Sequence, residues 1–295
     1  MHHMRLVITG AGGLLGAYLL RAAEDADELF AWGGPSGGER FGIPLRAIDL
    51  TNATATAEAF RADRPDVVLH AAARARVADC ARDPEGALRA NAGATATLAR
   101  LAADAGARLV YVSTDLVFDG EGAPYREADR PRPVSAYGRS KQAGEKAVLD
   151  VPRSAVVRVS LLYGPALHGR PSFFDEQLNA LRGGKPVPLF RDEWRTPLDL
   201  LTAARALLAV ARSDYTGILH VGGPERISRL EMGRRLAESW GLDASPIIAT
   251  DRDAVPATEP RPRDVSLDSS RWRSTFPEMP WPCLEDALRK VTLGS

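Results

Sequence analysis

Tyr137 and Lys141 stand four positions apart in Tyr137-Gly-Arg-Ser-Lys141. On a helix, residues at this spacing share a face, so a phenol and an ammonium would project together into whatever lies above them. A free phenol titrates near ~10, and an adjacent cation favours the phenolate, which moves the group toward the range useful to an acid/base catalyst. The competing reading is a surface pair that adds a little helix stability. With six tyrosines and few lysines in the chain, an accidental pair at this spacing is expected in about 8 % of such compositions. The surrounding elements must therefore decide.

A short apolar run, Arg5 to Thr9, stops in Gly10-Ala-Gly-Gly13-Leu14-Leu15-Gly16, and an amphipathic segment follows to about Glu24. The pattern predicts strand, glycine turn and helix. Glycines at 10, 13 and 16 would let the backbone turn tightly, approach a diphosphate without a Cβ in the way, and pack the helix on the sheet. Unpaired N–H groups at the helix start, from Leu14 onward, would receive the phosphates. Leu29 to Trp32 reads as a second strand, and no Asp or Glu ends it to hold a ribose 2′-hydroxyl. The loop after it carries Ser36 and Arg40, which could meet a 2′-phosphate. NADP(H) is therefore expected over NAD(H), with a solvated loop charge as the alternative for Arg40.

Leu45 to Ile48 is a third strand running into Asp49-Leu50, Thr54 to Arg61 a helix, and Asp66 to His70 a fourth strand. Its exit, Ala71-Ala72-Ala73, offers small side chains where a cofactor backbone would pass, and His70 reads as a satisfied core histidine. An alanine-rich helix from about 85 to 104 carries Asn91, placed to bond toward the active-site strand or to cap something local. Arg108 to Val112 is a fifth strand ending in Ser113-Thr114-Asp115. In an open parallel sheet, ligands bind beyond the carboxyl ends of the strands. Thr114 is thus placed to bond a substrate oxygen, and Asp115 to contact a hydroxyl or act as an acid.

A loop rich in proline and glycine then delivers the chain into the helix 135–149 that bears Tyr137 and Lys141, before a sixth strand at 155–160. Residues 171–182, 198–211 and 228–240 read as helices, and 217–221 as a further strand. The reading is an α/β chain with a doubly wound parallel Rossmann sheet, residues 1–165 and 197–222, and a smaller carboxy-terminal substrate-binding lobe, residues 166–196 and 223–295.

Bulk properties narrow the partners. The 295 residues are 45 % hydrophobic, enough for a sizeable core, and 38 basic residues balance 38 acidic ones without a basic run. Nucleic acid and membrane are not expected as partners. Cys80 and Cys283 are too few for a disulfide framework or a cysteine metal site, which fits a reducing cytoplasm, and no metal site is expected. No stretch approaches the ~20 apolar residues of a membrane span, and Met1-His2-His3-Met4 lacks the apolar region of a secretion signal.

Taken in order, the glycine turn, Ser113-Thr114-Asp115 and Tyr137-x-x-x-Lys141 resemble the extended short-chain dehydrogenases/reductases. Ser-Thr-Asp-Leu-Val-Phe-Asp-Gly at 113–120, Tyr-Gly-Arg-Ser-Lys at 137–141 and Arg-Pro-Arg-Asp-Val-Ser-Leu-Asp at 261–268 are most similar to the dTDP-4-dehydrorhamnose reductase branch. The resemblance implies reduction of a keto group on a nucleotide-linked sugar, or on another small ketone. Tyr137 would donate a proton to the ketone oxygen as NAD(P)H delivers hydride. Lys141 would lower the Tyr137 pKa and hold the nicotinamide ribose, and Thr114 would share the bond to the same oxygen. Arg261 and Arg263, and with less claim Arg195, could pair with a substrate diphosphate, with a solvated loop as the alternative. The branch commonly has tyrosine at the position of Leu116 and tryptophan at that of Leu161, both expected to touch the sugar. These departures bear on which substrate is taken, while the Tyr–Lys chemistry is untouched by them. The resemblance extends to the regulatory β subunit of methionine adenosyltransferase, a partner protein, and to nucleotide-sugar epimerases. It also implies that a homodimer would use helices 85–104 and 135–149.

Overall fold

In the computed structural model, residues 4–23 and 28–292 are described, with side chains to 290. The expected end of the first helix at Glu24 and the amino-terminal histidines lie outside these residues. Eight strands form the central sheet, in the order Gly217–Val221, β7 (Ala155–Val159), β6 (Arg108–Thr114), β5 (Val67–His70), β1 (Arg5–Thr9), β2 (Glu28–Gly34), β4 (Ile43–Ala47) and β3 (Gly38–Arg40). All neighbours are parallel except the β3/β4 hairpin. The strand order reverses direction at β1, so the crevice opens beyond the carboxyl ends of β1 and β5, as in Rossmann folds.

The strands form because apolar β-branched runs can be buried on both faces. Leu6, Ile8 and Leu69 face one core layer, and Val7, Val68 and Tyr111 face the other. Helices α1 (Leu14–Ala22) and α8 (Leu200–Arg212) cover the first side, and α2 (Ala53–Asp63) and α5 (Ala94–Ala105) the second. Outside the sheet, α7 (Phe173–Arg182), α9 (Arg229–Ser239) and α11 (Leu284–Thr292) pack with three two-stranded ladders. Among the described residues, no helix is long and apolar enough to cross a membrane.

Two local differences from the sequence reading have clear causes. The segment expected as loop up to Arg40 contains the edge strand β3, because Phe41 (φ 52°) and Gly42 (φ 76°) make a two-residue turn of the left-handed type that suits hairpins. The expected continuous helix 85–104 contains a π turn at Arg89–Gly93, between α4 (Pro84–Leu88) and α5. Such turns rotate the residues that follow and recur at functional positions; here the turn carries Asn91.

Candidate active site

Helix α6 (Ala136–Leu149) is capped by Ser135, whose Oγ accepts from the Gly138 N–H at 3.1 Å. Its first turn lies against the short turn Asp115–Val117 that ends β6. A Cβ on Gly138 would come within 2.2 Å of the Leu116 carbonyl oxygen, so glycine permits this approach. Gly144, two turns on, serves the same purpose against Tyr111, whose hydroxyl would stand 2.5 Å from an added Cβ. Two glycines on one helix thus press Tyr137 and Lys141 onto the end of β6.

Thr114, Asp115 and Tyr137 meet there, while Lys141, one turn further along α6, sets its ammonium on the Tyr111 ring. Thr114 Oγ1 accepts from the Leu116 N–H at 3.2 Å and donates to Asp115 Oδ1 at 3.1 Å. The buried Asp115 carboxylate also accepts from Ser160 Oγ at 3.0 Å and lies 3.7 Å from Arg195 Nε. Burial raises the Asp115 pKa, with Arg195 the leading opposing influence. Burial also pushes the Tyr137 phenol above its ordinary value; the Asp115 charge adds to the rise and a hydrogen bond with Thr114 opposes it.

Lys141 is 2 % exposed, and its Nζ stands 4.0 Å from the centroid of the Tyr111 ring. Burial lowers its pKa to about 7, against the pull of Glu145. The expectation that Lys141 lowers the Tyr137 pKa therefore needs correction for this state, in which desolvation dominates both groups.

Beneath the pair, His70 is fully buried between Thr9 (2.7 Å to Nδ1) and Thr95 (3.0 Å to Nε2). Thr95 donates its hydroxyl proton to the Asn91 carbonyl at 2.6 Å, so Nε2 is the donating nitrogen of His70 and Nδ1 accepts from Thr9. Burial pushes the imidazole down to about 3, which makes it the neutral core histidine expected. Asn91 bonds the Arg74 backbone (2.8 Å from its N–H, 3.1 Å to its carbonyl) and Ser140 Oγ (2.9 Å). It joins the exit of β5 to α6, in place of the bond to the active-site strand or the local cap that the sequence left open.

The residues expected to hold a dinucleotide line the crevice beside this group. Gly10 (φ +70°) would place a Cβ 2.7 Å from the Ala72 backbone, so the turn after β1 and the exit of β5 lie in contact. Gly13 precedes α1 without a side-chain cap, leaving the first-turn N–H groups of Leu14, Leu15 and Gly16 to a ligand. Asp49 accepts from both the N–H and the hydroxyl of Thr51 (2.9 and 2.7 Å), and with Leu50 it lines a cavity of about 640 Å³ that Arg74 and Arg89 share. Ser36 is exposed; Arg40 bonds the Glu39 carbonyl at 2.7 Å, and its Nε is buried without a partner. An orphaned guanidinium nitrogen on the arm after β2 fits an anion there, and the glycine cradle fits the diphosphate of a dinucleotide.

The other arginines are placed differently from one another. Arg195 is buried between Asp115 and Glu193, 3.1 Å from the latter. Arg261 is taken up by the carbonyls of Arg252 (3.1 Å) and Val255 (2.7 Å) and lies over Phe190, while Arg263 is exposed. The structure thus keeps Arg195 next to the site and engages Arg261 in its own loop. Missed by the sequence reading were Glu145 and Arg158, which form a buried bidentate pair (2.9 and 2.8 Å) that Ser113 joins at 2.5 Å. An arginine inside the apolar strand 155–160 was the available signal, since it needs a buried counter-charge.

The model of the RmlD substrate binding domain family matches residues 4–292. The chain is 32 % identical to a probable low-salt glycan biosynthesis reductase of Haloferax volcanii, over 97 % of this chain and 96 % of that protein. It is equally 32 % identical to methionine adenosyltransferase 2 subunit beta of Bos taurus, over 98 % of this chain and 91 % of that one. A dTDP-4-dehydrorhamnose reductase of Bacillus anthracis, solved in complex with NADP, superposes with a TM-score of 0.88 over the whole of both chains at 22 % identity, a likeness of fold.

Proposed function

Because the chain belongs to the RmlD substrate binding domain family, we propose that it is an NADP(H)-dependent reductase of a keto group on a nucleotide-linked sugar. The observation that carries this reading is Tyr137 hydrogen-bonded to Thr114, with Lys141 on the same helix, beside a glycine-lined dinucleotide crevice. The nicotinamide cofactor, when bound, supplies the hydride. The chain's own residues do the rest: Tyr137 gives its phenolic proton to the ketone oxygen, and Thr114, its hydroxyl turned from Asp115, donates a second hydrogen bond to it. Charge develops on that one oxygen, so converging donors favour the transition state over the ground state. Lys141 would hold the nicotinamide ribose. The preference for NADP(H) rests on Arg40, whose Nε lacks a partner, and on the absence of an acidic residue at the end of β2.

A second reading, a cofactor-binding regulatory subunit, is favoured by the similarity to methionine adenosyltransferase 2 subunit beta; the complete Thr, Tyr and Lys set weighs against it. The test is NADPH and NADH oxidation with dTDP-4-dehydrorhamnose by the wild-type chain and by Tyr137→Phe. The expected result is NADPH-dependent turnover that falls at least ~100-fold in the variant, with cofactor affinity nearly unchanged. Turnover that survives the substitution would reject Tyr137 as the donor. Cofactor binding without turnover of any sugar nucleotide would favour the regulatory reading.

A further inference from the structure

Near the site lies a cation that the chemistry above does not use. Arg229 is the first residue of α9, and its backbone N–H donates to the Glu193 carbonyl at 3.0 Å. Its Nη1 is sealed from solvent without a hydrogen-bond partner, and its guanidinium lies 4.6 Å from the centroid of the Phe173 ring. The nearby Glu193 carboxylate is bonded instead to Arg195. Burial pushes Arg229 down to about 10, Glu193 opposing and Arg195 adding to the fall. A cation at a helix amino terminus also works against the helix dipole. A guanidinium with one nitrogen sealed and unpartnered, at the wrong end of a helix, is unfavourable on both counts, and an incoming anion would relieve both.

We propose that Arg229 receives a phosphate group of the substrate. The placement supports this. Trp194–Arg195 pairs antiparallel with Ile227–Ser228, which sets Arg229 opposite Glu193, two residues along the strand from Arg195, and Arg195 reaches Asp115 beside Tyr137. A substrate whose ketone meets Tyr137 would extend along this line toward Arg229. Phe173 and Leu161 belong to one apolar cluster and wall the same side. Guanidinium forks match phosphate oxygens in pairs, and Arg261, the stronger claimant from sequence, already has its donors on backbone carbonyls. The inference rests on the nucleotide-sugar reading and names the residue that grips the part of the substrate that does not react.

The test measures dTDP, UDP and thymidine binding to the full chain by calorimetry, for wild type, Arg229→Met and Arg229→Lys, with NADPH affinity as the control for folding. Arg229→Met is expected to weaken nucleoside diphosphate binding about tenfold or more, leaving NADPH and thymidine unaffected. Arg229→Lys, which keeps the charge and loses the fork, should fall between, and it carries the test if the methionine variant does not fold. Unchanged diphosphate affinity in both variants would overturn the role of Arg229 and leave the reductase reading standing. Weakening of thymidine and NADPH in equal measure would make Arg229 structural and overturn it too. Failure of the wild type to bind either diphosphate would instead overturn the nucleotide-sugar reading, and this inference with it.

Discussion

Lys141 shows how far burial alone can move an ionisable group. Its ammonium rests on the face of Tyr111, 2 % exposed, and burial pushes it down to about 7, whereas an unfolded lysine titrates near ~10.4. Between those values the unfolded chain binds more protons than the folded one, so Lys141 makes stability rise with pH across that window. Its contribution is complete above the unfolded value and is lost as the pH falls toward 7. Lys141→Met, measured without cofactor by thermal denaturation from pH 7 to 9, should therefore melt higher at pH 7 and show a shallower rise with pH. Parallel curves for the two proteins would mean that Lys141 remains charged in the fold.

Helix α6 owes its position to what it lacks. Gly138 and Gly144 let it approach the Leu116 carbonyl and the Tyr111 hydroxyl more closely than any residue with a Cβ could. Backbone cannot yield as a flexible side chain can, and overpacking of this kind costs about 1–3 kcal/mol or more. Gly138→Ala would add helix propensity, worth about 1 kcal/mol, yet the clash at 2.2 Å should outweigh it. The expected outcome is a lower melting temperature together with a loss of kcat, since Tyr137 follows α6 away from Thr114. An alanine variant as stable and as active as the wild type would show that the helix is not seated by this contact.

Across the whole molecule, the Glu145–Arg158 pair ties α6 to the sheet. Both side chains are almost fully buried, Ser113 of β6 bonds the carboxylate, and Arg158 Nη1 lies 3.3 Å from His220 Nε2 on the neighbouring strand. His220 in turn contacts the Tyr125 carbonyl at 3.1 Å in the loop over the crevice. Removing one partner strands a buried charge, so Arg158→Leu should destabilise the chain by about 3–5 kcal/mol in urea denaturation. The double variant Glu145→Leu/Arg158→Leu should recover much of that loss, because two apolar groups leave no uncompensated charge. A double variant as unstable as the sum of the two single ones would argue that the network, rather than the desolvated charge, is what matters.

The local pattern of the chain was enough to place the parallel strands of the sheet, the glycine turn, the tyrosine–lysine helix and the Thr114–Asp115 strand end. Each of these depends on interactions a few residues apart: short apolar β-branched runs, a turn that only glycine can make, an i,i+4 face. What lay beyond it were relations between distant segments. The π turn that aims Asn91 at Ser140, the glycine contact that seats α6, the charge pair from Glu145 to Arg158, and the different fates of Arg195, Arg229 and Arg261 all depend on which surfaces meet. The pKa of Lys141 belongs to the same class. Desolvation is a property of everything that packs around a group, so no spacing of residues along the chain encodes it by itself.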